Sequence, residues 1–290
     1  MSFNGAEGAA RSPHHAGSRP GSILCCPVRR PSPILYRAAR VGSRFAHACT
    51  INLRVLRPDV PARAGGYVLA CTHLSHLEPI LVATIVPRPI DYMARSEFFR
   101  PRPLAWALRA MGAFRVVRHG VPVEGIRTAL ARLAAGRVVG IFPEGGVARG
   151  RHSACLGGPI KLGVAMVACR AGVPVVPCVV LGTHELNRVG PWLPYKRAKA
   201  WVAFGDPIPP VDPGPTRATR RAAYAEVGRR VRASMVDLYA DLCATYGLEG
   251  QAGETYAEPG TASEPKPPAI GTGAPSVDQV PPSPPGRGRG

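Results

Sequence analysis

The sequence predicts an α/β protein in which a mostly parallel sheet is flanked by helices in three layers. Short apolar runs typical of buried strands alternate with segments of helical periodicity between Gly66 and Gly205. A long amphipathic segment follows Pro215. The chain has 290 residues, of which 46% are hydrophobic, and this is enough for one large domain or two small ones. In such folds the functional residues gather where loops leave the carboxyl ends of the strands.

Composition divides the chain into three parts. Residues 1–33 are rich in Gly, Pro, Ser and Arg, and residues 251–290 form a Pro/Gly-rich tail, so we expect both ends to be disordered. Residues 34–250 form the predicted folded domain, which opens with the segment Ile34 to Arg57. This segment carries five Arg and no acid, and we expect it to be partly helical. Its basic face could rest on anionic lipid headgroups. Alternatively, it is an ordinary helix that covers the core.

Six strands are predicted, at residues 67–71, 90–93, 114–117, 138–142, 173–180 and 200–204. A helix is predicted over residues 123–135, with Gly136 as its stop signal. The segment after Pro215 should be a long helix that covers the core with one apolar side, formed by Val227, Val231, Met235, Leu238 and Leu242.

The charge of the chain predicts a polyanionic partner. The formal net charge is +19, of which the two ends carry only +3 and −1, so +17 lies in residues 34–250. Nucleic acid, an anionic membrane surface and phosphorylated substrates would all be attracted by this field. Aromatic residues make up only 6% of the chain, and no groove-reading motif is present. Nucleic acid is therefore the least favoured partner.

The eight cysteines include no CxxC pair and several lie in apolar runs, which indicates free thiols in a reducing compartment. No signal peptide is recognisable, and no stretch of eighteen residues lacks both charges and helix breakers. We expect a cytoplasmic protein that is peripheral on the inner face of the cell membrane.

The segment Cys71–Pro79, CTHLSHLEP, directly follows the first predicted strand of the alternating region. His73 lies at the strand exit, and Glu78 lies within the first turn or two of the next helix. A carboxylate there could orient the imidazole so that the free ring nitrogen accepts a proton from a hydroxyl. A metal site formed by His73, His76 and Glu78 and a structural histidine bonded to backbone are the two alternatives.

A second cluster, Ile141–Gly150 or IFPEGGVARG, also follows a predicted strand. Gly145 and Gly146 can turn backbone amides toward a ligand, and Arg149 and Arg151 can bind an anion. These residues predict a phosphate cradle. The chain has no GxxxxGK[ST] loop and no GxSxG elbow, which argues against nucleotide hydrolysis and against a serine esterase.

Taken in order, these blocks resemble those of the glycerolipid acyltransferase superfamily, the 1-acylglycerol-3-phosphate acyltransferases and their relatives, over roughly Val55 to Phe204. His73 and Glu78 match the His and Asp of the first block, and GAFRVVR, which ends at Arg118, is similar to the second. FPEG at residues 142–145 matches the third block, VPVVP at 173–177 the fourth, and KLG at 161–163 a Lys-x-Gly between them. The chain departs from the family pattern at Thr72, Glu78, Val117 and residues 146–148.

The resemblance implies transfer of a fatty acyl group from acyl-CoA or acyl carrier protein to a hydroxyl of a lysophospholipid, with 1-acylglycerol 3-phosphate as the favoured acceptor. His73 would be the general base and Glu78 would orient it. The acceptor's phosphate or polar head would be held by Arg118, Glu144, Gly145, Gly146 and Arg149. For Glu144 the alternative is helix or loop capping, since a carboxylate does not itself attract phosphate. No metal and no cofactor beyond the acyl donor is expected, and the implied partners are the anionic membrane surface, the lipid acceptor and the donor. Another lipid or glycolipid alcohol as acceptor, and a catalytically weak lipid-binding homologue, are the alternatives, with a basic nucleic-acid-binding protein the most distant.

Overall fold

The computed structural model describes residues 32–116, 123–148, 150–183 and 198–248. Within them are six α-helices: α1 (Pro33–Thr50), α2 (Glu78–Ile85), α3 (Arg102–Ala110), α4 (Val123–Ala134), α5 (Gly163–Ala171) and α6 (Arg217–Tyr246). The seven described strands are β1 (Ile51–Leu56), β2 (Tyr67–Cys71), β3 (Ile90–Arg95), β4 (Phe114–Val116), β5 (Val138–Ile141), β6 (Val175–Leu181) and β7 (Ala198–Phe204). Short 3₁₀ turns lie at Val60–Ala62, Ser96–Phe99, Gly150–His152 and Ala154–Leu156.

The strands form one sheet in the order β1-β7-β6-β2-β5-β3-β4. All neighbouring strands run parallel except β6 and β7, which pair antiparallel. The predicted mostly parallel α/β class is therefore confirmed, with the direction reversed at the β7–β1 edge. The central strand β2 is buried along its whole length, as expected for a parallel strand covered on both faces.

The helices cover the two faces of the sheet and form the three predicted layers. Along β2, Val68 and Ala70 belong to one apolar cluster, which they share with residues of α4, α5 and α6. Tyr67, Leu69 and Cys71 point the other way, into a cluster with residues of α2. Helix α1 lies beside α2 on this second face. Each fully buried Val or Leu in these layers contributes about 1.5–3 kcal/mol to stability.

The six predicted strands are all present, with ends that shift by no more than two residues. Helix α4 ends at Ala134, and Gly136 follows with φ 73°. The left-handed conformation at this glycine costs little because it has no Cβ, which is why it ends the helix. The five predicted core positions of α6 are buried, so its role as a cover for the core is confirmed.

The segment from Ile34 to Arg57 contains an element that the sequence analysis did not predict. Helix α1 ends at Thr50, and the chain continues as strand β1, which pairs parallel with β7. In β1 the apolar residues Ile51, Leu53 and Val55 alternate with polar ones, which is the period of a strand. The two predicted disordered ends, residues 1–33 and 251–290, fall almost entirely outside the described residues and stay predictions.

Candidate active site

The loop after β2 places His73 at the carboxyl edge of the sheet. Thr72 anchors this loop to β6, because its amide donates to the Cys178 carbonyl at 3.1 Å and its hydroxyl accepts from the Val180 amide at 2.9 Å. The His73 side chain is 14% exposed and stacks on Phe142 with ring centroids 4.2 Å apart. The histidine is thus held on one side and open on another.

Glu78, the first residue of α2, holds the histidine from inside the protein. Its Oε2 lies 3.0 Å from His73 Nδ1, and its side chain has no exposed surface. The second oxygen, Oε1, accepts from the Ser75 amide at 2.6 Å and from the Thr183 hydroxyl. Both oxygens are therefore occupied, and the N-terminus of α2 favours the negative charge. The sequence-predicted pair of His73 and Glu78 is brought together.

This contact determines which nitrogen of His73 faces the substrate side. A buried carboxylate only accepts hydrogen bonds, so Nδ1 carries the proton that points to Glu78. In neutral imidazole, Nε2 is then an acceptor. The arrangement can take a proton from a hydroxyl placed against Nε2.

Glu144 is the second buried carboxylate of the site, and its oxygens also accept from protein donors. Its Oε2 accepts from the His73 amide at 2.6 Å, and Oε1 accepts from the Ser153 hydroxyl at 3.1 Å and the Ala154 amide at 2.8 Å. Burial raises the pKa of the Glu144 carboxyl, and the hydrogen bonds from Ala154 and His73 act in the opposite direction. The predicted contact of Glu144 with a ligand stays a prediction, and the geometry favours a role in positioning His73.

The glycine turn lies against the same histidine. Gly145 has φ 76°, and a Cβ there would lie 2.4 Å from Nζ of Lys161. The Lys161 amide donates to the Pro143 carbonyl at 2.7 Å, and the Ala148 amide donates to the His73 carbonyl at 2.8 Å. Gly146 lies between these contacts. The turn therefore brings an exposed ammonium group beside the His73 loop.

Two predicted phosphate ligands, Arg118 and Arg149, lie outside the described residues. Within the described ranges, no three His, Cys, Asp or Glu side chains are grouped so that they could bind a metal ion. His76 contacts His73 edge to face at 5.9 Å. The hydrogen-bond donors that fix the two carboxylates, Ser75, Ser153 and Thr183, were not singled out by the sequence analysis. Among them Thr183 had a usable signal, as a polar residue three positions after the end of a predicted strand.

The fold and this site place the chain among α/β enzymes that carry a His–carboxylate pair at the carboxyl edge of the sheet. A sequence model described as "Acyltransferase" matches residues 52–181. A 1-acyl-sn-glycerol-3-phosphate acyltransferase of Bacillus subtilis (strain 168) is 30% identical over 157 residues, which cover 54% of this chain and 73% of that relative. The chain belongs to the glycerolipid acyltransferase superfamily, and it is an acyltransferase.

Two further similarities are more distant. A 1-acyl-sn-glycerol-3-phosphate acyltransferase of Streptococcus pneumoniae (strain ATCC BAA-255 / R6) is 27% identical over 151 residues, about half of each chain (51% and 52%). The crystal structure of the 1-acyl-sn-glycerophosphate acyltransferase PlsC from Thermotoga maritima is 18% identical with a TM-score of 0.49, and the match covers 68% of this chain and 78% of that one.

Proposed function

We propose that the protein moves a fatty acyl group from a thioester, acyl-CoA or acyl carrier protein, to the free hydroxyl of 1-acylglycerol 3-phosphate. His73 Nε2 accepts the hydroxyl proton while the oxygen attacks the thioester carbonyl. The new C–O bond forms, the C–S bond breaks, and the proton passes from His73 to the leaving thiolate. No acyl-enzyme is needed in this sequence of steps.

The observation that carries the proposal is the contact of His73 Nδ1 with a carboxylate that is completely buried and bonded through both oxygens. A general base that is held in this way contributes about 10²–10⁴-fold to rate. Glu78 keeps the tautomer in place and stabilises the imidazolium formed during the reaction.

The acceptor is proposed from the relatives, two of which carry the name 1-acyl-sn-glycerol-3-phosphate acyltransferase. The turn at Gly145 and Gly146 supports the proposal, because it lies beside the His73 loop and the Lys161 side chain lies against Gly145. We propose that Arg118 and Arg149 add to this anion site, with Gly145 and Gly146 supplying the close approach.

Helix α1 supports a peripheral position on an anionic membrane. Its polar side faces the protein, where the Tyr36 hydroxyl accepts from the Ile90 amide and Arg40 donates to the Pro87 carbonyl. Its apolar side faces outward as a stripe at helical spacing, with Ile34 79%, Val41 68% and Phe45 73% exposed. An amphipathic helix turned in this way, with Arg37 and Arg44 beside the stripe, is suited to lie in a headgroup layer.

No helix among the described residues is long and apolar enough to cross a membrane. The described cysteines are free thiols. We propose the inner, cytoplasmic face of the cell membrane as the site of action, since free thiols persist there. Val41→Glu with Phe45→Glu should abolish co-flotation with anionic vesicles, whereas Val236→Glu on α6 should not. Unchanged flotation of the double variant would contradict this position.

The reaction is tested by thiol release from an acyl-CoA and an acyl carrier protein across a panel of acceptors. The panel contains 1-acylglycerol 3-phosphate, glycerol 3-phosphate, another lysophospholipid and a glycolipid alcohol. We expect the first to give the highest kcat/KM. A higher value with any other acceptor would replace the proposed substrate, and the absence of turnover with all of them would leave lipid binding without catalysis.

A further inference from the structure

A large groove separates α5 from the beginning of α6, on the face of the sheet opposite α1 and α2. Its volume is about 990 Å³, within the size range of small-molecule sites. It is open to solvent and lies outside the set of residues that surround His73. Four arginines line it, namely Arg170, Arg217, Arg220 and Arg221.

These arginines are not neutralised by the parts of the protein that are described. None of them forms an ion pair within the described residues, and Arg220 donates to the Pro215 carbonyl at 2.8 Å. The nearby acids are engaged elsewhere, since Asp212 accepts from the Gly214 amide and Glu226 pairs with Arg229. Helix α6 begins at Arg217 in the wall of the groove, so the positive end of its dipole adds to the charge of the arginines. The groove is therefore suited to a ligand with several negative charges.

The remaining wall is apolar or aromatic. Leu162 directly precedes α5 and Met166 lies in its first turn, while Tyr224 lies one turn beyond Arg221 in α6. A guanidinium group and a phenol ring both stack well on a flat heterocycle. A groove that can bind both phosphates and a planar ring fits a nucleotide better than inorganic phosphate or a lipid headgroup.

A run of contacts joins the groove to the candidate active site. Leu162 directly follows Lys161, whose side chain lies over Gly145, and the neighbouring Glu144 accepts from the His73 amide. At the α-helical rise, Arg170 lies about 12 Å along α5 from Leu162. A ligand with phosphates at the arginines would need a long extended arm to reach His73, and the pantetheine arm of coenzyme A is of that kind.

We propose that the α5–α6 groove binds the nucleotide end of an acyl-CoA, with Arg170, Arg217, Arg220 and Arg221 on its phosphates. The assignment deepens the proposed function and depends on it for the identity of the donor. It makes acyl-CoA the donor that the fold recognises directly.

Adenosine 3′,5′-bisphosphate, which carries the ring and phosphates without the arm, is the probe for direct binding by calorimetry. Arg217→Ala with Arg221→Ala should weaken its binding at least about tenfold, since charge-assisted hydrogen bonds to phosphate are lost. The matched control removes two exposed arginines outside the groove, Arg102→Ala with Arg127→Ala, and should bind as the wild type does. Circular dichroism melting confirms that both variants fold.

Kinetics then separate the nucleotide from the reacting end of the donor. With acyl-CoA the groove variant should show a KM raised about tenfold and a kcat close to wild type. With acyl-pantetheine, which lacks the nucleotide, its KM should not change. The proposal would be overturned by an equal rise in KM with both donors, or by a rise that is confined to acyl carrier protein. It would also be overturned if the groove variant lost vesicle binding instead of bisphosphate binding, or if the wild type failed to bind the bisphosphate.

The two proposals fail in different ways. If no thioester supports turnover, the proposed function fails while the bisphosphate titration still decides the groove. If the groove variant has normal KM values and His73→Ala is inactive, the groove assignment fails and the reaction stands.

Discussion

Replacing Glu78 with glutamine tests how the carboxylate acts on His73. In the protein, Oε1 of Glu78 accepts from the Ser75 amide while Oε2 lies 3.0 Å from His73 Nδ1. Glutamine has one oxygen for these two acceptor positions. The backbone amide of Ser75 can only donate, whereas the imidazole can exchange its proton between nitrogens. The glutamine oxygen should therefore face Ser75 and its NH₂ group should face Nδ1, which moves the imidazole proton to Nε2 and removes the base.

Loss of the working tautomer in a His–carboxylate pair costs about 10⁴-fold in rate, or about 5.4 kcal/mol in the activation barrier. The shape of the side chain is kept, so acceptor and donor KM should change little. Thiol release with acyl-CoA measures kcat, and Glu124→Gln, on an exposed carboxylate of α4, is the matched control. Glu78→Asp, which keeps the charge, should retain more activity than Glu78→Gln. A kcat for Glu78→Gln within tenfold of wild type would refute the tautomer argument.

Other substitutions test the surroundings of the site and the fold. Thr183→Val removes one of the two donors to Glu78 Oε1. Because a hydrogen bond to a charged group contributes about 1.5–3 kcal/mol, kcat in the thiol-release assay should fall by roughly tenfold or more. Thr183→Ser, which keeps the hydroxyl, should stay near wild type. Gly145→Ala places a Cβ where φ is 76° and 2.4 Å from Lys161 Nζ, so the acceptor KM should rise more than kcat falls, and a normal KM would contradict a ligand role for this turn. Asp91→Asn removes the buried partner of Arg132 and Arg137, and denaturant unfolding should show a loss of about 3–5 kcal/mol, against little change for the exposed Asp237→Asn.

The sequence predicted those parts of the site that depend on local order along the chain. His73 follows a buried strand and Glu78 comes five residues later, so their contact could be expected from a strand–turn–helix. The supports of Glu78 could not be expected in the same way, because Thr183 reaches it from 105 residues away, through the pairing of β2 with β6. The contacts of Glu144 could not be expected for a similar reason, as its protein donors come from two other loops.

The fold shows the same division between local and distant information. The alternation of apolar runs and helical segments predicted the strands and the α/β class, because both depend on short-range periodicity. Strand β1 could not be separated from α1 in the sequence, because the segment Ile34 to Arg57 is basic and apolar throughout and passes from a helical to a strand period without a break. The α5–α6 groove depends on Arg170 meeting Arg217, which only tertiary packing brings about.

The most direct test of the central claim is the rate of His73→Ala measured beside its lipid binding. The mechanism predicts that kcat for thiol release falls by about 10²–10⁴-fold, while co-flotation with vesicles containing 1-acylglycerol 3-phosphate and the melting temperature stay near wild type. A kcat close to that of the wild type would show that His73 is not the base that takes the proton from the acceptor.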